Sequence, residues 1–322
     1  MKVLVTGGNG LLGHNIIQKL IDGNHKVRAI VRNTDGMLIK HNNVEVYKGN
    51  FTSYEQLLDS AQGCDSIIHV ASATDMSLDY NDFYNVNVKG SQTVIQVADK
   101  LNINTIVYIS TLNTIGYGSI EHPADENAEM QYPFTKSYYA ITKKEAENLF
   151  VETSKKEGRH VIIINPGFMI GAYDTKPSSG QLLLMGYKKP IMPVPSGGKS
   201  FVHVKDVATA AVNALTMGRN GEKYIATAHN KTLLEFYTIQ KQIFKYRQLL
   251  IPIPCWVTNS VGLIGDLLRK AGIKTQVCSR NTRQLCVKEY YTNSKAQKEL
   301  MLPETALEQA ISDSIYWLKN ID

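Results

Sequence analysis

Apolar positions along the first half of the chain alternate between two spacings. A β-branched run over residues 2–6 (Lys-Val-Leu-Val-Thr) stops at Gly7. Residues 14–21 then put Ile16, Ile17, Leu20 and Ile21 on one helical face, closed by Gly23-Asn24. Residues 26–31 and 43–47 read as strands, 53–61 as a helix with Ser53 as N-cap, and 65–70 (Asp-Ser-Ile-Ile-His-Val) as a buried strand. A longer helical pattern covers residues 83–101. A fifth strand follows at 105–109, a strongly helical stretch at 137–156 and a buried strand at 161–164. Strand and helix alternating through short loops predict an α/β fold, a doubly wound parallel sheet with helices on both faces.

Beyond Gly167 the alternation loses its regularity. Residues 173–195 are rich in Gly, Pro, Lys and Ser and read as a mobile loop over a substrate pocket. Helices are predicted at 206–217, 233–246 and 256–271, with a strand at 223–226. Pro252 and Pro254 break the chain, and Pro303 is expected to open a final helix to about residue 320.

Bulk properties narrow the class. A chain of 322 residues buries a large core, as one long domain or two closely joined ones. Its apolar runs fall far short of a membrane span, and the strand after Met1 leaves no room for a signal peptide, so a cytoplasmic protein without membrane partners is expected. Cys64, Cys255, Cys278 and Cys286 lack metal-ligand spacing and are expected free and buried. The net charge of +6 is scattered. Without a basic stripe, no nucleic-acid partner is expected, and an anionic cofactor or substrate accounts for the excess.

The candidate chemistry starts at Thr6-Gly7-Gly8-Asn9-Gly10-Leu11-Leu12-Gly13. Gly7 permits a tight turn, Gly10 admits a pyrophosphate close to the backbone, and Gly13 lets the helix pack against the strand. The helix N-terminus favours negative charge there. Arg32 follows Val31 at the end of the second strand, where an NAD enzyme usually has an acid. A guanidinium suits a 2′-phosphate, so NADP (NADPH) is favoured and NAD is less expected. The loop from Gly7 to Gly13, Arg32, Asn50-Phe51, Val70, Ala71, Ser72 and Ser110-Thr111 all stand at carboxyl ends of predicted strands, where such sheets bind ligands. The small residues Ala71-Ser72-Ala73 let a cofactor lie flat, whereas His69 reads as a core histidine.

Tyr139 and Lys143 stand four apart in the helical stretch and share a face. A free phenol titrates near ~10, and a neighbouring ammonium lowers that value, which makes the pair a competent proton donor and acceptor. The Thr111 hydroxyl is placed to hold a substrate oxygen in line. A nicotinamide would supply hydride.

Together these segments resemble an extended short-chain dehydrogenase/reductase over nearly the whole length. The carriers are the glycine loop, His69-Val70-Ala71-Ser72, Asn87-Val88-Lys89-Gly90, Tyr139-x-x-x-Lys143, Asn165-Pro166-Gly167 and Phe201-Val202-His203-Val204-Lys205-Asp206-Val207-Ala208. Val27-Arg28-Ala29-Ile30-Val31-Arg32 and the stretch at Asn293-Ser294-Lys295-Ala296 are most similar to the dihydroflavonol-reductase-like branch. The resemblance implies a Rossmann-type domain over 1–170 with return segments near 200–220. A smaller, mainly helical substrate lobe over 171–322 would be interleaved with it.

The resemblance also implies roles. Tyr139 would be the acid/base, and Lys143 would lower its pKa and bind the nicotinamide ribose. Thr111, third in Ile109-Ser110-Thr111, would be the catalytic hydroxyl, with Ser110 as fallback. Gly7, Gly10, Leu11, Leu12 and Gly13 would hold the pyrophosphate. Asn50 and Phe51 would flank the adenine, although the family often has Asp where Asn50 stands. Val70, Ala71 and Ser72 would line the cofactor, and Pro166 and Met169 would approach the nicotinamide end. Asn87 fits a proton relay or a structural role, while His203 and Asp206 fit a strand–helix junction.

The leading functional reading is NADPH-dependent reduction of an aldehyde or ketone, or the reverse alcohol oxidation, on a small-molecule substrate. Met76, Phe168, Tyr173 and Tyr187 hint at an apolar or aromatic carbonyl. A nucleotide-sugar epimerase or dehydratase with bound NAD is a second reading. Leu112-Asn113, where dehydratases tend to have Asp-Glu, and Val31-Arg32 both argue against it. A non-catalytic NADP-sensing protein is a third reading, disfavoured by the retained Tyr139 and Lys143. Relatives of this kind imply a monomer or a homodimer.

Overall fold

In the computed structural model, which describes residues 1–175, 179–273 and 275–320, the chain opens with β1 (Lys2–Thr6), α1 (Leu11–Asp22), β2 (Lys26–Val31), β3 (Val44–Lys48), α2 (Tyr54–Ala61) and β4 (Ser66–His69). Next come α3 (Tyr80–Phe83), a π-turn over Tyr84–Lys89, α4 (Gly90–Lys100), β5 (Thr105–Ile109), α5 (Tyr138–Ser154), β6 (His160–Pro166) and β7 (Phe168–Ile170). The remainder forms α6 (Gly180–Gly186), β8 (Ile191–Pro195), β9 (Gly198–His203), α7 (Val204–Asn213), β10 (Lys223–Ala226), β11 (His229–Thr232) and α8 (Leu233–Ile243). It ends with β12 (Leu249–Ile253), α9 (Cys255–Lys270), α10 (Ser279–Thr282), α11 (Ser294–Leu300) and α12 (Leu307–Lys319).

Among the described residues, seven parallel strands form the main sheet in the order β10-β6-β5-β4-β1-β2-β3. Helices cover both faces, so β4 is buried at every position and β1 at all but Lys2. On one face Ile16, Ile17 and Leu20 of α1 meet Val207 and Ala211 of α7 over Val3, Val5 and Ile68. On the other, Leu57, Val94, Val97 and Phe150 cover Leu4, Ile67 and Ile106. Strand order reverses between β1 and β4, which opens a crevice at their carboxyl ends.

The second half departs most from expectation. The stretch 173–195, read as a loop, contains α6 and β8; its residues 176–178 lie outside the described residues. Leu183, Met192 and Val194 bury against Phe236 and Tyr237 of α8, so long-range packing gives structure to a Gly/Pro-rich sequence. Small sheets β11-β9-β7 and β12-β8 also appear; apart from β9, which ends at the expected His203 junction, none of their strands was expected. Pro303 does not open the last helix. Thr305 donates through its backbone N–H (2.8 Å) and hydroxyl (2.7 Å) to Asp206, and α12 starts only at Leu307. All four cysteines are free, but only Cys64 and Cys278 are buried; Cys255 and Cys286 are half-buried. His203 caps α7 by accepting from the Lys205 N–H, in keeping with a junction role.

Candidate active site

The crevice begins at the glycine turn. Gly7 has a φ of +72°, and a Cβ there would stand 2.9 Å from Ala71 Cα. A Cβ on Gly13 would lie 2.1 Å from the Gly7 carbonyl oxygen. The two glycines therefore bring β1, β4 and α1 together. Gly10 is the N-cap of α1, without a side-chain cap, and the first turn holds no acid. The N–H groups of Leu11, Leu12 and Gly13 lack intrahelical partners and face an end of the helix that favours anions.

The other predicted cofactor residues surround this turn at different depths. Arg32 is exposed just beyond β2. Asn50 accepts from the Thr52 N–H at 3.2 Å through its side chain. Phe51 turns into the core, its ring 5.4 Å from that of His69. His69 is buried, shares a 2.7 Å hydrogen bond with Thr6 Oγ1, and desolvation pulls its pKa down to about 3, so it is a neutral core histidine. Thr6 Oγ1 also accepts from the N–H groups of Val70 (3.2 Å) and Ala71 (3.1 Å).

Ser72 donates to Asn87 Oδ1 at 3.1 Å, and the Ala73 N–H does so at 2.8 Å. Asn87 Nδ2 then donates to Thr142 Oγ1 at 3.1 Å. Asn87 lies in the π-turn, a geometry that recurs at functional sites. Here it ties the end of β4 to α5 beside Lys143. Pro166 is buried at the end of β6, and half-buried Met169 lies in β7 against the α1–α7 core.

Thr111, Tyr139 and Lys143 converge. Thr111 follows β5 and accepts from the Asn113 N–H, which caps a short 3-10 turn over Leu112–Thr114. Its hydroxyl also acts on the Tyr139 phenol, whose pKa it lowers. α5 presents Tyr139 and Lys143 one turn apart, with Ser137 accepting from the Ala140 N–H as N-cap. Lys143 is buried, donates to the Ile109 carbonyl at 2.6 Å and lies 4.3 Å from the Tyr108 ring centre. Tyr139 is half-buried, and desolvation pushes its phenol up to about 12, against the lowering influence of Thr111. Desolvation brings Lys143 down to about 7, opposed by the Glu147 charge. Sequence reasoning expected a phenol lowered by its lysine; here burial raises it, and the opposing influence comes from Thr111 rather than from Lys143.

Behind Thr111 lies a carboxylate that the sequence reading gave no role. Glu147 is 1 % exposed and accepts from Ser110 Oγ (2.7 Å), Thr114 Oγ1 (2.7 Å), Asn165 Nδ2 (2.8 Å) and Lys144 Nζ (3.0 Å). Asn165 Nδ2 and Thr114 Oγ1 also donate to the Thr111 carbonyl, at 3.1 and 2.9 Å. One signal was available: Glu147 stands four residues after Lys143, on the same helical face.

Comparison with known proteins agrees with this geometry. Residues 3–226 match the model of the NAD dependent epimerase/dehydratase family. The chain belongs to that family. It is an NAD(P)-dependent oxidoreductase of the extended short-chain dehydrogenase/reductase type. It is 26 % identical to a putative dihydroflavonol 4-reductase from Synechocystis sp. over 98 % of this chain and 94 % of that protein. It is 25 % identical to sterol demethylase protein B from Methylococcus capsulatus, over 99 % and 98 % of the two chains. The crystal structure of gox2253 superposes with a TM-score of 0.84 at 25 % identity, covering 98 % of this chain and 97 % of that one.

Proposed function

We propose that this enzyme reduces a ketone or aldehyde with NADPH, and catalyses the reverse oxidation, with Tyr139 as the proton donor. The observation that carries the reading is the placement of Tyr139 on α5, under the influence of the Thr111 hydroxyl and one helical turn from buried Lys143. Reduction requires a proton for the developing alkoxide, and a phenol held near 12 is in its donor form at neutral pH. Thr111 would share the substrate oxygen with Tyr139. Lys143 places a cation beside the developing charge in its protonated form.

The cofactor cradle is supported by the Gly7 turn, the uncrowded position of Gly10 and the α1 terminus without a side-chain cap. Gly7, Gly10, Leu11, Leu12 and Gly13 would hold the pyrophosphate, and Arg32 the 2′-phosphate that distinguishes NADP. Val70, Ala71 and Ser72 would line its path, with Asn50 and the backbone at Phe51 on the adenine side. Pro166, Met169 and Lys143 would border the nicotinamide riboside. When bound, that group supplies the hydride.

Leu112, the residue after Thr111, is buried with Ile115, Ile225 and Tyr291, so that position supplies no acid for an elimination. An apolar or aromatic carbonyl is the favoured substrate class. The names of two similar proteins, a putative dihydroflavonol 4-reductase and sterol demethylase protein B, lean the same way.

Tyr139→Phe tests the reading. Across a panel of aldehydes and ketones with NADPH, turnover is expected to fall roughly 10²–10⁴-fold, with NADPH fluorescence quenching nearly unchanged. Retained turnover would remove Tyr139 from the mechanism.

A further inference from the structure

α9 is packed inside out. Its buried positions are Thr258, Gly262 and Gly265. Both glycines lie so close to the following segment that a Cβ would stand 2.1 Å from Thr282 Oγ1 or from the Val277 carbonyl oxygen. The opposite stripe holds Trp256, Leu263, Ile264 and Leu267, which are 71, 57, 59 and 65 % exposed. A surface helix ordinarily turns such a stripe towards the core. β12 leads into α9 through Pro254, and the β8–β12 ribbon repeats the pattern. Met192 and Val194 are buried, whereas the paired Ile191 and Leu249, and Ile251 beyond them, are exposed. Exposed apolar stripes of this kind mark interaction sites.

Charge around the patch identifies what fits it. Residues 236–265 contain no Asp or Glu, and neither do residues 181–195. Lys188 and Lys189 precede β8, and Lys245 and Arg247 precede β12; all are exposed. Because β8 and β12 run parallel in register, these four cations gather at one end of the ribbon, beside Ile191 and Leu249. Lys270, exposed, closes the far end of α9, where Arg269 is held by the Thr275 and Met76 carbonyls. A twofold contact with a second copy would press the same patch against itself, with Lys188, Lys189, Lys245 and Arg247 unpaired by any acid of the ribbon. An anionic lipid surface satisfies both features: the stripe enters the headgroup–acyl boundary and the rim meets phosphates. We propose that α9 and the exposed face of the β8–β12 ribbon dock this protein on an anionic bilayer. The contact is peripheral, since no helix of the described residues is long and apolar enough to cross a membrane.

The full chain should co-sediment with vesicles of phosphatidylcholine mixed with phosphatidylglycerol, and much less with phosphatidylcholine alone. Leu263→Gln with Leu267→Gln should weaken that binding by at least roughly tenfold. Both side chains are exposed, so the melting temperature should hold. Trp256 emission should shift to the blue on anionic vesicles, and Trp256→Phe should remove the shift. Failure to bind either vesicle overturns the proposal. So does a concentration-dependent dimer that the double variant abolishes, which assigns the face to a second copy. Equal binding to neutral and anionic vesicles overturns the role of the basic rim.

Discussion

The Ser110 hydroxyl donates to the buried Glu147 carboxylate over 2.7 Å, while the hydroxyl of its neighbour Thr111 lowers the pKa of the Tyr139 phenol. Two adjacent hydroxyls at the end of β5 therefore face different partners, and their substitutions should separate. Thr111→Ala is expected to lower kcat roughly 10²-fold, with a stability cost of about 1 kcal/mol for the lost cap of the 3-10 turn. Ser110→Ala takes a donor from a buried carboxylate and should cost about 1–3 kcal/mol of stability, with kcat within a few-fold. Steady-state kinetics beside denaturant melts decide between them; the reverse pattern would make Ser110 the catalytic hydroxyl.

Glu147 also sets a pH dependence. Burial lowers Lys143 from 10.5 to about 7, so between these values the unfolded chain binds the proton that the folded chain has released. Stability should therefore rise with pH across that window, and Lys143→Met should flatten the rise. The Glu147 charge opposes the lowering. Glu147→Gln should carry Lys143 lower still, and the alkaline fall in activity should move to more acidic pH. A pH–rate profile unmoved by Glu147→Gln would sever the link between the two residues.

The first half of this fold was legible because its signals are local. Continuous apolar strands, a glycine turn and helical periodicity lie within short windows, and the turn and strand ends converge at the β1–β4 crevice. In the second half the deciding interactions are distant. β8 carries Pro193 and Pro195 and is a strand through its pairing with β12, some 58 residues on. Asp206 holds Thr305 and delays α12, which a proline rule alone could not foresee. Tyr139, Lys143 and Thr111 were legible as a spacing and a strand end. Glu147 acquires its meaning only when Ser110, Thr114 and Asn165, from separate segments, close around it.

Arg32 stands exposed beyond β2, free of the packing that would give it a structural role. Its proposed task is a charge-assisted contact with a phosphate, lost without harm to the fold. Arg32→Ala should weaken NADPH binding by roughly tenfold while changing NADH binding little. Fluorescence titration with both nucleotides measures the ratio. An equal loss for both, or a native preference for NADH, would remove Arg32 as the discriminating residue.

The glycine turn allows folding and binding to be separated. At Gly13 a Cβ would lie 2.1 Å from the Gly7 carbonyl oxygen, a backbone atom that cannot swing aside. Gly13→Ala should therefore force α1 away from β1 and cost about 1–3 kcal/mol or more, as overpacking does. At Gly10 a Cβ would meet only the Gly7 carbonyl oxygen, at an ordinary 3.5 Å, and the φ of −94° suits alanine. Gly10→Ala should leave the melting temperature nearly unchanged. The new methyl would stand where the pyrophosphate has to approach the α1 terminus, so NADPH affinity should drop by roughly tenfold or more. Thermal melts with and without NADPH test the pair. Gly10→Ala should lose the cofactor-induced rise in Tm, and Gly13→Ala should start from a lower Tm. If Gly10→Ala keeps the full rise, the phosphates do not sit at this turn.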